Sequence, residues 1–124
     1  MKVLPIAVLF LFLAGCAHPP QLTTSLDMQK KSDGLIVVTL KVTNTEDRVT
    51  VPINVEITGQ ARTDGRWDRS ASLLHPAAFV LNRKEQREIT KLWRVNADAV
   101  RTTLVIKEQE NGHLLKSEKM EKAW

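Results

Sequence analysis

The sequence offers few side chains that could catalyse a reaction or hold a metal ion. Its three histidines, His18, His75 and His113, are far apart, and none has the spacing of a metal-binding pair or of a catalytic base beside its acid. The adjacent acids Glu46 and Asp47 lie in a polar connection, where carboxylates usually form turns. No serine lies in a G-x-S-x-G motif, and no glycine-rich phosphate loop occurs. We therefore expect no catalytic residues, no bound metal and no cofactor.

A mixture of arginine and tryptophan in one polar stretch is the clearest sign of a binding surface. The candidate partner-binding residues are Arg62, Arg66, Trp67 and Arg69. Tryptophan provides a large contact area and arginine provides bidentate hydrogen bonds, a combination that is typical of binding hot spots. The alternative interpretation is that Trp67 packs into the core and that the arginines are only solvated.

The N-terminus has the features of an export signal that ends in a lipid attachment site. Lys2 precedes an apolar run from Val3 to Leu13, which is too short to cross a bilayer core as a helix. The run ends in Leu13-Ala14-Gly15-Cys16, and Cys16 is the only cysteine of the chain. This motif resembles the lipobox of bacterial lipoproteins, in which the cysteine is acylated and the signal is cut just before it.

The resemblance implies a membrane anchor and a location. Residues 1–15 would be removed, Cys16 would carry the acyl chains, and residues 16–21 would form a short lipidated tether. Two or three acyl chains give stable anchoring, whereas one is marginal. In the enteric members of the family an Asp after the cysteine retains the protein at the inner membrane. Ala17 stands there instead, so we expect the outer membrane, facing the periplasm, with the inner membrane or the cell surface as alternatives.

Length and composition predict one folded domain over residues 22–124. A chain of 124 residues with 43% hydrophobic and 26% charged residues is typical of a single soluble domain. The single cysteine excludes an internal disulfide. The formal net charge of +4 is small and no aromatic ladder is present, which argues against a nucleic-acid partner.

Alternation of apolar and polar residues predicts seven or eight short strands and no helix in this domain. The pattern is clear over residues 22–28, 35–43 and 100–106, and it is most regular over residues 49–58, where Val49 and Val51 would share the inward face with Ile53. Pro52 cannot donate to a β-ladder, so this strand should lie at an edge or contain a bulge. Trp93 also has strand periodicity, which favours a place in the core.

Turn signals separate the predicted strands. Asn111-Gly112 predicts a two-residue type I′ hairpin turn, and Asp64-Gly65 allows a small hairpin within an otherwise irregular stretch over residues 59–72. The matching architecture is an antiparallel β-sandwich, with a small barrel as the main rival. The valine-rich strands around residues 42–48 resemble the immunoglobulin-like modules of bacterial envelope proteins.

These features predict a lipid-anchored, non-catalytic binding module of the cell envelope. Its partners would be the membrane, through the acyl chains on Cys16, and an envelope protein. It would serve as an accessory subunit of a secretion, conjugation or surface-fibre assembly system. One alternative is a carrier of a small ligand or glycolipid. The other is an inhibitor of a cell-wall enzyme, and residues 59–72 would then form the protruding inhibitory loop of this protein.

Overall fold

The fold of residues 20–124, which a computed structural model describes, consists of eight β-strands and no helix. The strands are β1 (Leu22–Ser32), β2 (Leu35–Asn44), β3 (Ile53–Thr63), β4 (Arg66–Trp67), β5 (Ala71–Phe79), β6 (Gln86–Trp93), β7 (Ala99–Glu108) and β8 (Leu114–Ala123). The predicted signal peptide, Cys16 and most of the predicted tether lie outside the described residues. Within residues 20–124 we find no helix with the length and apolar character needed to span a bilayer.

The strands form two antiparallel sheets. The first has the order β1-β2-β6. In the second, β3 pairs with both β4 and β5 on one side and with β7 on the other, and β8 follows β7. The sheet that contains β1, β2 and β6 thus faces the sheet that contains β3, β7 and β8, and the two layers form an antiparallel sandwich. The predicted all-β antiparallel sandwich of seven or eight strands is confirmed.

The core lies between the two sheets and follows the predicted alternation. The inward faces of β1, β2, β3 and β7 supply fully or almost fully buried side chains. These include Leu26, Met28, Ile36, Val38, Leu40, Val42, Ile53, Val55, Ile57, Val100, Leu104 and Ile106. Full burial of such a side chain contributes about 1.5–3 kcal/mol before conformational entropy is subtracted.

Trp93 at the end of β6 is part of this core, as its periodicity predicts. It is 9% exposed, and its indole ring lies against Gly59 of β3. A Cβ atom on Gly59 would lie 2.9 Å from the Cη2 atom of Trp93, so the absence of a side chain on β3 makes room for the ring. The glycine is therefore needed for close packing between the sheets.

The prediction that Val49 and Val51 belong to the inward face of β3 is wrong. Both are exposed, and β3 begins only at Ile53. Thr50, between them, is buried instead, because its backbone N–H and its Oγ1 atom both pair with the backbone of Leu81. The alternation therefore changes phase at Pro52, which lacks the N–H that would continue a ladder.

Two predicted connections also differ from the structure. Most of residues 59–72 is not irregular, because β3 continues to Thr63 and β4 and β5 pair with it. The turn at Asn111-Gly112 is not a two-residue turn. Residues 109–113 connect β7 to β8, the N–H of Gly112 donates to the carbonyl of Glu108, and only Gly112 has a positive φ. A longer loop of this kind needs only one left-handed residue.

The two ends of the sandwich carry different connections. At one end lie residues 45–52, 80–85 and 109–113, and the chain enters β1 there; we call it the tether end. Asn44, fully buried, organises this end: its Nδ2 donates to the carbonyls of Arg48 (2.7 Å) and Asn82 (3.0 Å), and its Oδ1 accepts from the N–H of Glu46 (3.0 Å). At the distal end lie residues 33–34, 64–65 and 94–98 and the C-terminal residue.

Candidate partner-binding site

A short hairpin at the distal end positions the arginine and tryptophan residues singled out from the sequence. Asp64 and Gly65 have φ values of 51° and 77°, as a type I′ turn requires at both central positions. The turn brings β4 back onto the end of β3 and pairs Arg62 with Trp67. Directly opposed residues on neighbouring strands share a face. The hairpin that Asp64-Gly65 allowed is therefore present.

The Trp67 ring contacts two guanidinium groups on the outer face of the larger sheet. The Cζ atom of Arg101, on β7, is 4.0 Å from the centroid of the Trp67 ring. The Cζ atom of Arg62 is 5.8 Å from the same centroid. Both distances are within the range of cation–π interactions. The indole is half-buried and does not belong to the core between the sheets, so the core interpretation of Trp67 is not supported.

A hydrogen bond and an ion pair hold the two arginines in place. Arg101 donates from Nε to Oε1 of Gln60 at 2.7 Å, and the amide of Gln60 donates to the carbonyl of Asp68 at 3.0 Å. Arg62 forms an ion pair with Asp98, with 3.0 Å between Nε and Oδ1. We call Arg62, Trp67 and Arg101 the Arg–Trp stack. The stack is preorganised, so little side-chain entropy would be lost when a partner covers the indole.

The structure brings together only part of the predicted set. Arg62 and Trp67 are in contact, whereas Arg66 and Arg69 are exposed and form no ion pair with any residue of the described segment. Arg101 was missed because it lies far from Trp67 in the sequence. The position of Arg101 beside Trp67 follows from the register that pairs Arg101 with Gln60. That register can be inferred only when the strand order is known.

A polar groove continues from the Arg–Trp stack across β7 to the edge strand β8. Its volume is about 560 Å³, and Gln60, Arg101, Lys119 and Glu121 contribute to its lining. The charges of both signs favour hydrogen bonds and ion pairs with a polar partner. Together, the stack and the groove form one surface with an aromatic anchor at one side and polar groups at the other.

The side chains considered for chemistry remain dispersed. In the part of the chain from residue 20 onward, no three His, Cys, Asp or Glu residues are placed to hold a metal ion. The Oγ atom of Ser72 lies 3.3 Å from Nδ1 of His75, but both residues are exposed and no described carboxylate pairs with that ring. Glu46 pairs with Arg48, and Asp47 pairs with Arg83, so each of these acids has a turn-stabilising partner.

Comparisons with known proteins show the fold and nothing finer. No protein-family model matches the chain. No curated protein sequence matches it either. Among solved structures, a protein from Bordetella pertussis assigned as ApaA is similar with a TM-score of 0.56 and 18% identity, over 85% of this chain and 94% of that one.

Parts of two larger enzymes have a similar fold. The alkylpurine DNA glycosylase AlkC of Pseudomonas fluorescens matches with a TM-score of 0.57 and 15% identity, over 90% of this chain and 33% of that one. The β-glucuronidase 2 of Bacteroides uniformis matches with a TM-score of 0.54 and 12% identity, over 82% and 13%. The chain therefore spans a third or less of these enzymes. One fold serves many functions, so these similarities assign none to this chain.

Proposed function

We propose that the chain is a lipid-anchored, non-catalytic binding module of the cell envelope. It acts as an accessory subunit of a secretion, conjugation or surface-fibre assembly system. The acyl chains on Cys16 hold it at the outer membrane, and the Arg–Trp stack binds an envelope protein. The observation that carries the binding role is the Trp67 indole, which contacts Arg62 and Arg101 on an outer face instead of packing in the core.

The position of the stack supports this role. β3 runs from the tether end to the distal end, so Arg62 lies about 30 Å from Ile53 at a rise of roughly 3.3 Å per residue. A protein anchored at residue 16 would therefore present the stack away from the membrane. An indole at that distance could meet a partner in the periplasm and not the lipid surface.

The alternatives have less support. An inhibitor would use a protruding loop over residues 59–72, but most of those residues are paired in β3, β4 and β5. A carrier would hold its ligand between the sheets, where the core residues of β2, β3 and β7 pack against each other with almost no exposure. A binding surface on the outer face needs neither feature.

Crosslinking in the native envelope tests the binding role. We expect the full-length protein to capture one envelope protein, and Trp67→Ala to reduce that capture by about 30-fold, as for a hot-spot residue worth about 2 kcal/mol. Leu92→Ala, an equally simple truncation of an exposed residue on the other sheet, is the control and should capture normally. Unchanged capture by Trp67→Ala would contradict the proposal. Loss of cooperative melting in that variant would show that the indole is structural instead.

A second experiment tests the anchor. We expect Cys16→Ser to release a folded protein into the soluble periplasmic fraction, because the acyl chains have no other attachment site. The wild type should fractionate with the outer membrane. If the variant stays in the membrane fraction, another element holds the protein there and the anchoring proposal is wrong.

A further inference from the structure

The chain enters the domain at a fixed point on the tether end. The carbonyl of Gln21 accepts hydrogen bonds from the backbone N–H and from the Oγ1 atom of Thr45, both at 3.1 Å. The ammonium group of Lys84 in turn donates to the carbonyl of Thr45 at 2.6 Å. The residue before β1 is thus tied to the connections at this end. Whatever precedes it in the chain is attached here.

Exposed apolar side chains concentrate at the same end. Among residues 20–124, six large hydrophobic residues are exposed, and four of them lie at the tether end: Val49 (55%), Val51 (48%), Val80 (42%) and Leu114 (60%). The other two, Leu92 and Trp124, belong to the distal half. An apolar cluster at one end of a domain is a usual mark of a contact surface.

The local backbone forces three of these side chains outward. Thr50 and Leu81 are buried and hydrogen-bonded to each other, with 2.9 Å from the N–H of Leu81 to Oγ1 of Thr50. Val49 and Val51 flank Thr50, and Val80 precedes Leu81, so all three point away from the buried pair. The hydrogen bonds between Thr50 and Leu81 therefore keep these three apolar side chains exposed to solvent.

The charges around the valines mostly compensate one another. Arg48 pairs with Glu46 at 2.8 Å, Arg83 with Asp47 at 3.4 Å, and Arg87 with Glu85 at 3.1 Å. A rim of paired charges of both signs around apolar side chains suits a zwitterionic surface better than a strongly anionic one.

We propose that the tether end is a second membrane contact, in which Val49, Val51 and Val80 enter the headgroup layer of the bilayer. This inference rests on the proposed acyl anchor at Cys16. Four residues lie between Cys16 and Gln21. The five residue-to-residue steps from Cys16 to Gln21 span at most about 17 Å when extended. The anchor therefore keeps this end next to the bilayer, where a high effective concentration allows a small apolar surface to bind. The domain then stands upright and directs the Arg–Trp stack outward.

Fluorescence quenching by lipids tests this orientation. Val51→Cys and, separately, Val80→Cys would be made in the full-length protein, purified in its lipidated form and labelled with a polarity-sensitive fluorophore. Acylation blocks Cys16, so only the introduced thiol reacts. Leu92→Cys is the matched control, because Leu92 is also an exposed apolar residue but lies near the other end. Each protein would be reconstituted into phosphatidylcholine vesicles with or without brominated acyl chains.

We expect a blue shift and strong quenching of the labels at positions 51 and 80, several-fold greater than at position 92. Equal quenching at all three positions, or none at 51 and 80, would overturn the proposal. A blue shift at 51 and 80 without quenching by brominated lipid would mean that a protein covers this end, and it also overturns the proposal. Flotation of the vesicles in a density gradient distinguishes a failure of the acyl anchor from a failure of the second membrane contact. A protein that does not float with the vesicles lacks the anchor. A protein that floats without quenching at positions 51 and 80 has the anchor but not the second contact.

Discussion

Replacing Thr102 with valine should stabilise the protein. Thr102 is 1% exposed on the inward face of β7, and its Oγ1 atom has no hydrogen-bond partner among the described residues. Burying a hydroxyl without a partner costs about 1–3 kcal/mol. Valine has nearly the same shape, so Thr102→Val replaces the hydroxyl with a methyl group and leaves no cavity. We expect a gain of about 1 kcal/mol or more in the free energy of unfolding, which raises Tm by roughly 4–8 °C per kcal/mol.

Thr50→Val makes the same chemical change where the hydroxyl has a partner. The Oγ1 atom of Thr50 accepts from the backbone N–H of Leu81 at 2.9 Å, so valine there would leave a buried N–H unpaired. An unsatisfied buried donor costs about 1–3 kcal/mol. The two Thr→Val variants should therefore change stability in opposite directions. The pair separates the effect of the hydrogen bond from the effect of the substitution itself.

Urea unfolding followed by tryptophan fluorescence measures both variants. We expect the midpoint to rise for Thr102→Val and to fall for Thr50→Val, with the same dependence on denaturant as the wild type. If Thr102→Val lowers the midpoint as Thr50→Val does, the hydroxyl of Thr102 has a partner such as a buried water molecule. The reasoning from its unpaired state would then be refuted.

Three other substitutions test the packing and the turns. Asn44→Ala removes hydrogen bonds to three backbone groups and should cost about 2–4 kcal/mol in urea unfolding; a loss within experimental error would mean that water replaces the side chain. Gly59→Ala places a methyl group 2.9 Å from Trp93 and should cost about 1–3 kcal/mol, with a changed tryptophan spectrum; an unchanged midpoint would show that the ring can move. The N–H of Asn82 and the guanidinium of Arg87 lower the pKa of Glu85. Because the carboxylate stabilises the fold only when ionised, Glu85→Gln should be less stable than the wild type at pH 7, and the difference should vanish as the pH falls below the usual carboxyl range. A constant difference across pH would contradict this account.

The inward faces of most strands could be predicted because one periodicity determines them. In β2 the inward-facing residues from Ile36 to Val42 are all apolar, and in β7 Thr102 is the one polar residue between Val100 and Ile106 on the inward face. In both strands the buried face is the one that alternation predicts. The same applies to Leu26 and Met28 in β1. A strand buried on one face requires this pattern, and a shift by one residue would expose every apolar side chain.

The exposure of Val49 and Val51 could not be predicted from alternation. The valines continue the phase of Ile53, but Thr50 is buried by a pairing with Leu81, which is far along the chain. Pro52 gave a local signal for a break at that position, but not for which of the residues before it would be buried. Whether an apolar residue is buried depends on which strand it meets, and the alternation of apolar and polar residues does not reveal the strand order.

The Arg–Trp stack was half predictable for the same reason. Arg62 and Trp67 are joined by a two-residue turn, and the Asp64-Gly65 signal for that turn is local. Arg101 joins them only because β7 lies beside β3. A hairpin can be inferred from neighbouring residues, whereas a contact across three strands needs the order of the sheet.

The edges of the sandwich are closed by side chains, which bears on where a partner can bind. Glu118 of β8 accepts a hydrogen bond from Thr24 of β1, and Lys122 donates to the carbonyl of Met28 at 2.7 Å. These contacts join the edge strands of the two sheets. Charged residues on an edge strand also discourage the addition of another strand.

On the other side of the sandwich, β5 and β6 are in contact at the tether end, where the guanidinium of Arg87 lies 4.5 Å from the Phe79 ring centroid. A partner that added a strand to β1 or β8 would first have to break the contacts of Glu118 and Lys122, which costs free energy before any new ladder forms. A partner that covered Trp67 would break none of them. The outer face is therefore the surface where binding disturbs the fold least. If a partner instead binds by adding a strand to the edge, the amount of partner captured by crosslinking should change with Glu118→Ala. If removal of Glu118 strengthens partner capture while Trp67→Ala has no effect, the edge and not the outer face is the binding site.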